Sequence, residues 1–163
     1  LISHLVCVRH QEHKIFTEIL LNTSPTREEG MQYSSEGFPI YATTCVGVGG
    51  WILPNVYILD LLGLNDYVIA RTPVPQNSYL AMAHTRLPPE GYVESFHPNV
   101  EIVNKKVNIK EREKPLTERD IISLERKWRR VVGMAEKGKM ALVTHSPSSS
   151  PPAGSAPAAG SGN

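Results

Sequence analysis

Apolar positions along the chain are densest between residues 40 and 72, IYATTCVGVGGWILPNVYILDLLGLNDYVIART, where β-branched and aliphatic side chains crowd together. Tyr41 to Val48 reads as a buried strand, Gly49-Gly50 as its break, and Val56 to Leu62, closed by Gly63, as a second strand. From Leu64 the pattern loosens. Asn65-Asp66 caps a short turn over Tyr67, Val68 and Ile69, which Thr72-Pro73 ends. The second strand therefore delivers Asp60, Asn65 and Asp66 to its own carboxyl end. Val46 to Leu59 carries no charge, yet a membrane span needs about 20 apolar residues, and Pro54, Asn55 and Asp60 would lie in or near the hydrocarbon. A span is excluded there.

The flanking segments follow other periods. Leu1, Leu5, Val8, Ile15, Phe16, Ile19 and Leu20 recur at helical spacing, which predicts an amphipathic helix within 1–22, under way by Arg9 and stopped by Asn22-Thr23-Ser24-Pro25. Thr26 to Pro39 is polar and reads as a loop. After Thr72-Pro73, Asn77 can cap a helix through Tyr79, Leu80, Met82, Ala83 and Leu87, ended by Pro88-Pro89. Gly91 to Phe96 alternates like a strand, Val100 to Val103 like a further short one, and Lys105 to Lys114 is a charged run. Thr117 with Asp120 three residues on forms a capping box with a shortened acid. Ile121, Leu124, Trp128, Val131 and Val132 then make one apolar stripe, whose Trp128 should dock onto the sheet. Gly133 or Gly138 ends that helix.

Strands separated by helices predict an α/β fold: a small mixed or mostly parallel sheet packed by amphipathic helices, in a single domain over residues 1–143. The Ser, Pro, Ala and Gly tail over 144–163 is expected to be disordered. The 163-residue chain carries 17 basic and 16 acidic side chains, and a formal charge of +1 gives no general attraction to nucleic acid. Cys7 and Cys45 are compatible with one disulfide or two free thiols. A first residue of Leu, with no signal-like stretch after it, suggests a fragment of a longer polypeptide.

Candidate chemistry is sparse. Gly47, Gly49 and Gly50 resemble the start of a phosphate-cradling loop, but the third glycine and the Lys-Ser/Thr of known phosphate motifs are absent, and a strand-turn role fits better. Asp60, Asn65 and Asp66 form the best polar cluster, since ligands of open α/β sheets gather at the carboxyl ends of strands. The alternative is that Asp60 satisfies the Leu62-Gly63 turn and Asp66 caps the next one. His84 and Arg86 follow the apolar part of the predicted third helix and would come near those acids if it packs back on the sheet. His10 and His13 share a helical face but lack a third ligand, so no metal site and no cofactor are expected. No nucleophile motif is present.

The segments VGVGGWILPNVYILDLLGLNDYVIAR, MAHTRLPPEGYVESFHPNV and PLTERDIISLERKW resemble the C-terminal extracytoplasmic domain of bacterial polytopic membrane glycosyltransferases of the GT-C type, over about residues 5–135. That resemblance implies a parent with many membrane helices, a polyprenyl-phosphate-linked sugar as donor, and transfer on the outer, periplasmic side of the cytoplasmic membrane. In such enzymes the catalytic carboxylate lies in an early loop, so no catalytic residue is expected in this chain. It would be an accessory domain that assists binding of donor or glycan acceptor and contacts its own transmembrane part, with Asp60, Asn65, Asp66, His84 and Arg86 as candidate binding residues. The polar loop from Thr23 to Pro39 is longer than that pattern suggests. The rivals are a free-standing α/β ligand- or protein-binding module and a small hydrolase pairing His84 with Asp60 or Asp66.

Overall fold

The computed structural model describes residues 14–74, 86–138 and 141–143. The expectations for Cys7, His10, His13, the helix begun at Asn77, His84 and the tail fall outside these residues. The elements run as a helix over 14–23 (α1), α2 (Arg27–Gly30), β1 (Ile40–Thr43), α3 (Val46–Ile52), β2 (Tyr57–Asp60), a 3-10 turn (Ile69–Arg71), α4 (Tyr92–Ser95), β3 (Val100–Val103), β4 (Lys106–Ile109) and α5 (Glu118–Glu136). The protein is mixed α/β, with one parallel pair, β1 with β2, and one antiparallel pair, β3 with β4.

The parallel pair corrects the first expectation. Ile40 lies opposite Tyr57 and Thr43 opposite Asp60, so the chain must return to the starting end of β1 before β2 begins. A glycine turn could only reverse it; a crossover is required. Residues 46–52, with Gly47, Gly49 and Gly50 among them, therefore form α3 instead of extending the strand to Val48. Gly49 faces the Tyr41 ring, and a Cβ there would sit in ordinary contact, 3.5 Å from the ring carbon Cε1.

Side chains alternate across the parallel pair. Ile40 and Leu59 point to one layer with Val68, Ile69, Tyr92, Phe96, Ile121, Trp128 and Val132. Tyr41 and Ile58 pack in the other, around Ile52, Leu53, Val56, Val100 and Val107. The pair is thus covered by α4 and α5 on one side and by α3 with the hairpin on the other. Asn99 ties the hairpin to β1: its N–H donates to the Ile40 carbonyl (3.0 Å), and its Oδ1 accepts from the Ile40 N–H (3.0 Å).

Two further expectations change. Residues 92–95 are helix, not strand. Tyr92 and Phe96 stand one helical turn apart and are 3 % and 0 % exposed, so the 3.6-residue period wins over the apparent alternation. The charged run after Val103 contains β4, entered through Asn104 and Lys105, both at positive φ (50° and 64°), the backbone of a tight two-residue hairpin turn. The loop before β1 contains α2, whose Thr26 and Glu29 form a reciprocal capping box.

The capping box of α5 forms as expected: the Thr117 hydroxyl accepts from the Asp120 N–H (3.3 Å), and an Asp120 carboxylate oxygen accepts from the Thr117 N–H (2.9 Å). The Thr117 hydroxyl, which also donates to that carboxylate (2.7 Å), and secondarily the Thr117 N–H hold the Asp120 carboxyl below its usual range. Trp128 joins the layer that holds Ile40 and Leu59, but its nearest partners are on α4. It meets Tyr92 edge to face at 5.3 Å, and its indole N–H donates to Ser95 Oγ at 2.9 Å. Gly138, at φ +65°, follows the last turn of α5.

Candidate functional site

The site grows from the end of β2. Asp60 is 4 % exposed, and a carboxylate so enclosed must be hydrogen-bonded. Its Oδ1 accepts from the N–H groups of Leu62 (3.0 Å) and Gly63 (3.1 Å), and its Oδ2 from that of Asn65 (2.7 Å). Gly63 makes this possible. Its φ is +74°, and a Cβ would come within 2.7 Å of Ile69 Cγ2, so only glycine passes. Asp66 repeats the arrangement one step on. Oδ1 accepts from Val68 (2.8 Å) and Ile69 (2.9 Å), which starts the 3-10 turn, and Oδ2 accepts from the Tyr92 hydroxyl at 2.6 Å.

Tyr57, the first residue of β2, reaches the other way and donates its hydroxyl to Glu125 Oε1 on α5 at 2.7 Å. Burial, reinforced by the carboxylate each phenol faces, pushes both tyrosines well above their usual range: Asp66 beside Tyr92, Glu125 beside Tyr57, with Arg129 opposing for Tyr57. Both therefore stay protonated donors at any physiological pH. One turn after Glu125, the Arg129 guanidinium lies 4.5 Å from the centre of the Tyr67 ring. Arg71 lies 3.7 Å from the same ring and pairs with Glu136.

These groups enclose a cavity of about 340 Å³. It is lined by Asp60, Asn65 and Asp66 from the end of β2, by Tyr57, Tyr67 and Tyr92, by Glu125 and Arg129 of α5, and by Gly47 and Gly50 of α3. The glycines that looked like a phosphate loop thus border the site from inside a helix. A larger cavity of about 560 Å³ lies beside Ser95, His97, Arg112, Lys114 and Asp120. Much of its polar equipment is already engaged. Asp120 caps α5, Ser95 Oγ is bonded to both Trp128 and the Tyr92 carbonyl (2.6 Å), and Arg112 donates through Nε and Nη1 to the carbonyls of His97, Gly37 and Phe38, while its buried Nη2 makes no hydrogen bond. The smaller cavity is the better candidate because it gathers Asp60, Asn65 and Asp66 at the carboxyl end of β2 together with Glu125 and Arg129 of α5.

Of the residues expected at the site, Asp60, Asn65 and Asp66 converge on this cavity. Arg86 does not line it. Its guanidinium donates to the Thr72 carbonyl, beside a fully buried Thr72 hydroxyl within 2.8 Å of the Ile69 carbonyl and 3.0 Å of that of Leu87. His84 lies outside the described residues. Glu125, Arg129, Tyr57 and Tyr92 were not singled out by sequence. Glu125 and Arg129, one helical turn apart on the polar flank of the Trp128 stripe, were the available signal.

Among the described residues, no group of three or more His, Cys, Asp and Glu could hold a metal ion, and Cys45 is a free, half-buried thiol. Among them, too, no helix is long and apolar enough to cross a membrane. No protein-family model, curated protein or solved structure matches this chain.

Proposed function

We propose that this chain is an accessory extracytoplasmic domain of a membrane glycosyltransferase, which holds a glycan at the carboxyl end of β2 while the parent's membrane part carries out transfer. The observation that carries the reading is the cavity wall: Asp66 and Glu125 each fixed by a protonated tyrosine, with Arg129 beside them. Carboxylates with spare lone pairs accept from sugar hydroxyls, and a guanidinium donates to ring or hydroxyl oxygens. Asp60, Asp66 and Glu125 outnumber Arg129, so the cavity disfavours a phosphate and suits the sugar portion of a donor or a neutral acceptor glycan. The resemblance in the β2 and α5 segments supplies the glycosyltransferase parent, the periplasmic location and the transmembrane part as partner.

The hydrolase alternative fits less well. Both oxygens of Asp60 already accept backbone N–H groups, which leaves it a poor proton acceptor for chemistry. The test is titration of the chain with neutral oligosaccharides, followed by amide NMR shifts at Asn65, Tyr67 and Gly47. Binding should weaken at least tenfold in Glu125→Gln and Arg129→Gln, each removing about one charged hydrogen bond. Unchanged affinity in both variants would refute the cavity as the glycan site. The parent is tested separately: the reading expects several apolar spans of about 20 residues in the polypeptide that precedes Leu1.

A further inference from the structure

We propose that the solvent face of α5 docks onto a bilayer surface rich in anionic phospholipid. Arg119, Arg126, Arg130 and Lys137 recur at i, i+7, i+11 and i+18, a spacing that keeps all four within a band roughly 40° wide and roughly 27 Å long on a helix of 3.6 residues per turn. All four are exposed, and no ion pair among the described residues uses any of them.

The acids of α5 lie off that band, and three are engaged elsewhere: Asp120 with Thr117, Glu125 with Tyr57, Glu136 with Arg71. The band is therefore a local excess of positive charge on a chain whose formal charge is only +1. Arg119, Ile122, Ser123, Arg126, Lys127 and Arg130 line a shallow depression along it. Guanidinium groups suit phosphate oxygens.

Two observations favour a bilayer over a nucleic acid. The cations form a straight row, which matches a plane of headgroups. The exposed neighbours at its margins are aliphatic, Ile122 (37 %) and Met134 (41 %), whereas the aromatic of α5 itself, Trp128, is buried on the opposite face. The docking rests on α5 and holds whatever the cavity beside β2 binds.

The experiment is co-sedimentation of the 163-residue chain with vesicles of phosphatidylglycerol and phosphatidylcholine, and with pure phosphatidylcholine. Partition should occur onto the anionic vesicles alone and fall steeply with added salt. The triple variant R119Q/R126Q/R130Q should lose about fivefold per charge, roughly a hundredfold together, with an unchanged unfolding temperature because these side chains are exposed. No partition onto anionic vesicles, equal partition of the triple variant, or tighter binding of a single-stranded or duplex oligonucleotide at the same salt would each overturn the proposal. So would loss of partition in Phe16→Ser alone with the arginines indifferent.

Discussion

At the scale of single residues, Asp60 and Gly63 hold one turn from opposite directions. The carboxylate collects the N–H groups of Leu62, Gly63 and Asn65, the second of them buried, while the glycine supplies the positive φ that lets the chain turn around it. Asp60→Ala should therefore lower stability by about 3 kcal/mol, read by urea unfolding, with the slope of the transition unchanged. Asp60→Asn, which keeps one acceptor oxygen, should lose less. A variant as stable as the parent protein would show that the turn does not depend on the carboxylate. The sequence announced both residues, because an acid inside an apolar run and a glycine at its close each imply a local cause. It did not announce Tyr92 as the donor to Asp66 Oδ2, since that bond spans 26 residues and depends on how α4 sits.

At the scale of elements, what could be read in the sequence divides by whether a local rule decides the structure. α5 follows from its cap and stripe, and its capping box forms between the residues expected. Thr117→Ala removes the side chain that bonds both the Asp120 N–H and its carboxylate. It should lower stability by about 1 kcal/mol in thermal unfolding. Because Asp120 is held below its ordinary value in the folded chain, its contribution is complete above the usual carboxylate range and is lost as pH falls through the folded value. The difference between parent and variant should accordingly shrink on acidification, and a difference independent of pH would contradict the assignment. By contrast, α3, α4 and β4 obey distant constraints. Gly-rich VGVGGWI has no strong helical propensity and becomes helix because β1 and β2 are parallel. The segment after Gly91 offers too few residues for period 2 and period 3.6 to be told apart, and burial of Tyr92 and Phe96 selects the helix. Lys106–Ile109 hides a strand behind charge, because only Val107 turns inward.

At the scale of the whole molecule, the cavity exists because three pieces distant in sequence meet: the turn after β2, α4 and α5. Tyr57 and Tyr92 are the bolts between them, and their protonation links assembly to pH. An unfolded tyrosine ionises near pH 10, whereas both of these phenols hold their protons to higher pH in the folded chain. Above pH 10 the unfolded chain thus binds fewer protons than the folded one, so stability falls as pH rises; below pH 10 the contribution is complete. Each tyrosine can add at most about 1.4 kcal/mol per pH unit to that fall, and Tyr57, only half-buried, should add less than Tyr92. Urea unfolding between pH 9 and 11 should show the decline in the parent protein and a shallower one in Tyr92→Phe, which begins from a lower stability because Asp66 has lost a partner. The same variant should leave α5 docked, since the Trp128 edge contact needs only the ring. A parallel decline in both proteins would mean that the Tyr92–Asp66 bond does not join α4 to the β2 turn, and the cavity wall would have to be held by packing alone.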